Sequence, residues 1–183
     1  MITLEPFDES DIDRLIAWVP SAEFLLQWAG PAFQHPLDRE QLMRTLWGPR
    51  HLAHSHRPAS DCLIFKAVDS ETGTTVGHGE LARIDRKNLS AWIARVLVGP
   101  PELRGQGIGQ QIVEQLLRVA FDELGLHRVA LNVFDFNEAA IRCYERVGFK
   151  REGLLREARR HGDEYWSVYV LGMLEREFRR SGV

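Results

Sequence analysis

An α/β (α+β) fold in one domain spanning residues 1–183 is what the sequence predicts, on three observations. The chain's 183 residues, 44% of them apolar, suffice for one buried core, and no repeat or low-complexity run divides them. The apolar run Ala91–Val98 is rich in β-branched and aromatic residues and is interrupted only by Arg95. It stops at Gly99-Pro100-Pro101, as a buried strand ending in a turn does. A long amphipathic helix follows. Ile108, Ile112, Leu116, Ala120 and Leu124 recur at helical spacing, and Val113, Leu117 and Phe121 widen the stripe.

In chain order, Ile2 to Glu5 reads as a short strand. Ser10 is placed to cap a helix reaching Trp18, and Pro20-Ser21 starts another reaching Trp28. Asp38-Arg39-Glu40-Gln41 resembles a capping box opening a third helix, which ends near Trp47. Trp18, Phe24, Trp28, Phe33 and Trp47 could line a cleft, but helix packing is the expected use of such aromatics. His51, His54 and His56 fall between Pro49 and Pro58. No Cys or carboxylate nearby completes a metal set, so a solvated loop and no metal are expected. Two strands, Leu63–Val68 and Thr75–Arg83, flank a turn at Glu71-Thr72-Gly73 and lead through Arg86-Lys87-Asn88 into the central strand as an antiparallel meander. Beyond the long helix, Val129, Leu131 and Val133 alternate with Ala130 and Asn132 in a further strand. Asn137 then caps a short helix that ends at Gly148. Strands at Leu154–Arg159 and Trp166–Leu174 close the chain around a turn at His161-Gly162-Asp163.

A net charge of −3 argues against nucleic acid or an anionic membrane as the main partner. No apolar run approaches membrane-spanning length, and MITLEPFDES lacks the basic and apolar regions of a signal peptide, so a cytoplasmic protein is expected. Cys62 and Cys143, far apart and without CxxC spacing, read as reduced thiols.

The segment Arg104-Gly105-Gln106-Gly107-Ile108-Gly109 joins the central strand to the long helix, and that arrangement makes an anion site. The first N–H groups of a helix lack internal partners, the helix dipole is positive there, and glycines admit a phosphate to the backbone. Arg104 adds a cation able to fork onto phosphate oxygens. A P-loop is excluded, because Gly109-Gln110-Gln111 stands where Gly-Lys-Ser/Thr would be. The dinucleotide fingerprint lacks its third glycine whether counted from Gly105 or Gly107. A glycine turn that merely solves a strand-to-helix geometry is the plainer alternative.

Arg104-x-x-Gly107-x-Gly109 resembles the acetyl-CoA pyrophosphate-binding signature of the GNAT superfamily of N-acetyltransferases. The run Asn137-x-x-Ala140-x-x-x-Tyr144-x-x-x-Gly148-Phe149 resembles that superfamily's segment placing an Asn near the pantetheine arm and a Tyr near the thioester sulfur. Residues 61–175 carry the likeness. The wording around Gly153–Arg156 and His161–Trp166 is similar to the branch that includes ribosomal-protein N-terminal acetyltransferases. The resemblance implies a GNAT fold, a central mixed, mostly antiparallel sheet of about seven strands flanked by helices. It also implies direct acetyl transfer from acetyl-CoA to a primary amine in a ternary complex.

Three tasks follow from that chemistry. Backbone N–H groups at Val96, Leu97 and Val98, with Arg104 to Gly109 and Asn137, would hold acetyl-CoA, and those of Val96 and Val98 would polarise its acetyl carbonyl. Tyr144 would protonate the departing sulfur, since a phenol of pKa ~10 stays protonated at pH 7. Adjacent Cys143 points about 100° away on a helix and is not chosen. Residues 89–98 hold no carboxylate where many members place a glutamate, so Glu80 on the preceding strand is the candidate base; otherwise it is one more exposed acid. A water-mediated proton path is the other possibility, because an α-amine of pKa ~8 is already partly neutral. The acceptor is expected to be a protein N-terminal amine, with an aminoglycoside or polyamine as the alternative. A non-catalytic acetyl-CoA-binding module is a third reading, and either a monomer or a homodimer is compatible with the sequence.

Overall fold

The computed structural model describes residues 1–47 and 61–181, so the triple-histidine segment lies outside the described residues. Seven strands form one sheet: β1 (Ile2–Pro6), β2 (Leu63–Asp69), β3 (Thr75–Asp85), β4 (Ser90–Val98), β5 (Arg128–Phe134), β6 (Lys150–His161) and β7 (Glu164–Leu174). Their spatial order is β1-β2-β3-β4-β5-β7-β6. Among the described residues only β4 and β5 run parallel, and the crossover between them carries helix α4.

Both faces of the sheet are covered, which is why β3 is buried without interruption from Val76 to Leu81 and does not alternate there. On one face lies α4 (Ile108–Arg118), whose Ile112, Val113, Leu116 and Leu117 are fully buried against Leu81, Ile93, Val129 and Leu131. Burying four such side chains stabilises the fold by about 1.5–3 kcal/mol each. The regular helix is shorter than its apolar stripe suggests, because a π turn over Val119–Glu123 takes over its last positions. The short helix α5 (Glu138–Val147) packs beside α4 and ends at Gly148.

The other face carries α1 (Ile12–Ala17), α2 (Ala22–Ala29) and α3 (Arg39–Trp47). Their core is Ile12, Leu15, Leu25, Phe33 and Leu42, with Leu97 contributed by β4. Phe33 is buried, and Trp18, Phe24 and Trp28 are half-buried against this core, so the tryptophans and phenylalanines do pack helices. The side chain of Trp47 lies outside the described residues. Asp8 replaces Ser10 as the first cap. Its carboxylate accepts from the Ser10 N–H at 2.8 Å, and Asp11 returns a bond to the Asp8 N–H. The chain then makes a single 3₁₀ turn before α1. Ser21 caps α2 as expected, accepting from the Phe24 N–H at 3.1 Å. The helix α6 (Glu175–Ser181) follows β7.

Candidate active site

Strands β4 and β5 part company in mid-course. Their parallel pairing runs from Ser90↔Arg128 to Ile93↔Leu131, yet β4 continues to Val98 and β5 to Phe134. The cause is a bulge. Against β3, Leu97 faces His78 and Ala94 faces Glu80, so one extra residue of β4 is accommodated around Arg95, whose φ is +49°. Past the bulge, the Gly99 N–H bonds to the Val76 carbonyl on the β3 side. By the alternation of the ladder, the Val98 N–H and carbonyl point the other way, toward the gap between β4 and β5. Leu97 is turned to the α1–α3 core, and Val96 precedes Val98 by two residues.

The glycine-rich segment closes the end of this gap. Gly105 and Gly107 have φ of +77° and +81°, left-handed values that glycine adopts without strain. A Cβ at either would meet nothing within 4 Å, so both face open space. Gly107 is the N-cap of α4 and offers no side chain. The first bond inside the helix runs from the Gln111 N–H to the Gly107 carbonyl at 3.1 Å. The N–H groups of Ile108, Gly109 and Gln110 therefore stand at an uncapped, dipole-positive helix end.

Arg104 is differently employed from the phosphate fork that its sequence position suggests. Its Nε and Nη2 donate to the carbonyls of Val98 and Gly99, each at 3.1 Å, and its guanidinium lies 5.3 Å over the Phe24 ring. It braces the segment against the strand end and α2. Trp18 lies so close to Gly99 that a Cβ there would fall 2.0 Å from the indole.

On α5, the Asn137 side chain accepts from the Ala140 N–H at 3.2 Å and so caps that helix. Tyr144 lies two turns further on, its ring half-buried against the α4-side core and edge-on to Phe149 at 6.0 Å. Burial, with a smaller contribution from Cys143, pushes its hydroxyl pKa well above the ordinary phenol value. Burial likewise pushes the half-buried Cys143 thiol up, which keeps it protonated and unsuited to nucleophilic attack.

Glu80 is not an exposed acid at a sheet edge. It is 0% exposed, on the face toward α1–α3. Arg95 forks onto it, Nε to Oε1 at 2.7 Å and Nη2 to Oε2 at 2.6 Å, while His78 Nε2 stands 3.0 Å from Oε1 and Cys62 Sγ 3.8 Å from Oε2. Burial acts to raise its pKa, but the His78 hydrogen bond and the Arg95 charge outweigh it and hold the carboxyl below the usual range. A carboxylate so engaged is a poor proton acceptor. The sequence reading missed its partners. Arg95, the one charge in an apolar strand, was the available signal; His78 and Trp28, whose indole Nε1 donates to the Arg95 carbonyl at 2.9 Å, carried none. Among the described residues no three His, Cys, Asp or Glu side chains gather as a metal site.

Residues 22–149 match the sequence model of the Acetyltransferase (GNAT) family. The chain is 33% identical over 114 residues to the SPbeta prophage-derived N-acetyltransferase YokL of Bacillus subtilis. That match takes in 62% of this chain and 63% of YokL, so the chain spans less than two thirds of that relative's length. It is 28% identical to the spermidine N(1)-acetyltransferase of Vibrio cholerae, over 97% of this chain and 95% of that one. The fold superposes with a TM-score of 0.80 on the Vibrio cholerae spermidine N-acetyltransferase crystallised with CoA and spermine, at 22% identity and covering 97% and 98% of the two chains.

Proposed function

From the premise that this chain belongs to the acetyltransferase (GNAT) family, we propose that it is an acetyl-CoA-dependent N-acetyltransferase whose acceptor is a small polyamine. The observation that carries the donor half is the uncapped N-terminus of α4, lined by Gly105 and Gly107, at the end of the β4/β5 gap. A diphosphate fits there: the backbone donors are free, the helix dipole is favourable, and no Cβ obstructs the approach.

The sequence alone favours a protein N-terminal amine, but two observations favour its polyamine alternative. One is the likeness to a spermidine acetyltransferase along nearly the whole chain. The other is charge. Residues 1–47, whose helices cover the face bearing Glu80 and Arg95, hold eight Asp or Glu side chains against three Arg. Asp8, Glu9, Asp11, Asp13 and Glu40 already pair with Arg14, Arg39, Arg44 or Lys66, and the net negative charge that remains favours a polycation.

Acetyl-CoA supplies a thioester, whose acetyl carbon the amine attacks and whose sulfur departs. The chain's own groups divide the remaining work. The N–H groups of Ile108, Gly109 and Gln110 hold the diphosphate, with Gly105 and Gly107 leaving room for it and Gln106 and Arg104 shaping the turn. The N–H groups of Val96 and Val98 take the pantetheine amides and the acetyl oxygen, Leu97 anchors the strand between them, and Asn137 borders the pantetheine channel. Tyr144 keeps its proton through the working pH range and donates it to the sulfur. Because both Glu80 oxygens are engaged, the acceptor's proton leaves through water and not through Glu80.

Thermal unfolding with ligands tests the donor assignment. Acetyl-CoA at 100 times its dissociation constant stabilises the native state by about 2.7 kcal/mol, and NADH and ATP at the same concentration do far less. A larger shift with either nucleotide would overturn the assignment.

A further inference from the structure

We propose that Arg95, fixed by the buried carboxylate of Glu80 behind it, is a positioning residue that holds the β4 bulge open and so sets the backbone N–H groups facing the β4/β5 gap. The inference rests on the acetyltransferase reading and deepens it.

Four contacts converge on this one residue. Its side chain forks onto Glu80 at 2.6 and 2.7 Å, its carbonyl accepts the Trp28 indole N–H at 2.9 Å, and its guanidinium lies 5.7 Å over the Phe33 ring. Glu80 is itself held by His78 at 3.0 Å. Meanwhile the Arg95 backbone sits at φ +49°, a left-handed conformation uncommon outside glycine, which exposed Arg83, Leu89 and Glu157 also adopt but which at Arg95 coincides with these contacts. The fork, the indole and the ring hold both the side chain and the carbonyl of this residue. The consequence lies on the opposite side of the strand. Pairing to β5 ends at Ile93, two residues before Arg95, and Val98, three residues after it, points into the gap thereby opened.

A buried ion pair is a weak device for stability, since an apolar pair of similar size often does as well. It is a strong device for fixing a geometry, because the fork has one arrangement that satisfies both partners. Trp28 belongs to α2, on the acidic layer assigned to the acceptor, so the same residue joins that layer to the donor strand.

The experiment is a double-mutant cycle in the full chain, Glu80→Gln, Arg95→Met and both together. Each is read for kcat, KM for acetyl-CoA and circular dichroism, with whichever of spermidine, an aminoglycoside or a free-N-terminus peptide the wild type acetylates. Each single change lowers kcat roughly ten- to a hundredfold, the range that a misplacement of about 1 Å produces, while acetyl-CoA KM moves by less than about threefold. The double change costs no more than the worse single one, because both break one device. Arg95→Met alone leaves a buried unpaired carboxylate and can fail to fold. The uncharged double variant then decides: folded with wild-type kcat, it overturns the proposal. Losses that multiply in the double variant overturn it as well. So does a faster Arg95→Met enzyme, the mark of a Glu80 base released from its partner. A wild type without turnover on any amine instead removes the acetyltransferase reading, and this inference with it.

Discussion

Gly107→Val perturbs the anion site at one backbone position, and the structure separates its two costs. At φ +81° a residue with a Cβ is strained in the left-handed region, by about 1–2 kcal/mol. For a chain of this length that lowers Tm by about 2–4 °C per kcal/mol, or roughly 2–8 °C. The Cβ itself adds no clash, since at this position it meets no atom within 4 Å. The second cost appears only with ligand. The valine side chain stands in the open space before the N–H groups of Ile108 and Gly109, and a hydrogen bond to a charged group is worth about 1.5–3 kcal/mol. Losing two weakens acetyl-CoA binding by about 3–6 kcal/mol, or roughly 10²- to 10⁴-fold. Calorimetric titration with acetyl-CoA measures the second cost, and thermal unfolding without ligand measures the first. Gly107→Ala bears most of the strain with less obstruction, so its Tm falls similarly and its affinity falls less. A folded valine variant whose affinity stays within about twofold would refute the reasoning and leave the turn a purely structural element.

Two further changes probe the chemistry. Tyr144→Phe keeps the ring against Phe149 and removes only the proton donor, so kcat falls by about 10², the lower end of general acid catalysis, with acetyl-CoA affinity unchanged; steady-state kinetics with chemistry limiting would dismiss the acid role if kcat stayed within about twofold. The Glu80 carboxyl has a folded pKa below its unfolded value of about 4.3, so its contribution to stability is complete above that value and is lost as the pH falls through the folded pKa. Denaturant unfolding between pH 7 and pH 3 should show wild type losing more stability below about pH 4.3 than Glu80→Gln, and parallel curves would contradict the lowered pKa.

What could be read from the sequence was mostly local. Gly107 and Gly148 were legible because left-handed backbone demands glycine, and Asn137 because a helix start demands a short acceptor side chain. The strands were legible from apolar runs bounded by turn residues, with alternation marking only β5, and their assembly into one sheet of about seven came from the family resemblance. The limits of β6 were not: read as Leu154–Arg159, it runs from Lys150 to His161. It is an edge strand exposed at most positions, so burial imposes no pattern on it. The true state of Glu80 was hidden for a different reason. It meets Arg95 fifteen residues away only because β3 and β4 pair with a one-residue shift, and a shift of register leaves no mark on composition. The bonds from Arg104 to the carbonyls of Val98 and Gly99 were hidden as well, because the sequence gives no sight of where the strand end turns back.

Thiol release from acetyl-CoA, followed with spermidine, an aminoglycoside and a free-N-terminus peptide in parallel and paired with mass measurement of each amine, tests the central claim most directly. The account predicts free CoA thiol and a matching acetyl adduct on spermidine, at a kcat/KM above that for the other two acceptors. Release with the peptide alone would return the acceptor to a protein N-terminus. Binding of acetyl-CoA without release for any amine would contradict the account and make the chain a non-catalytic acetyl-CoA module.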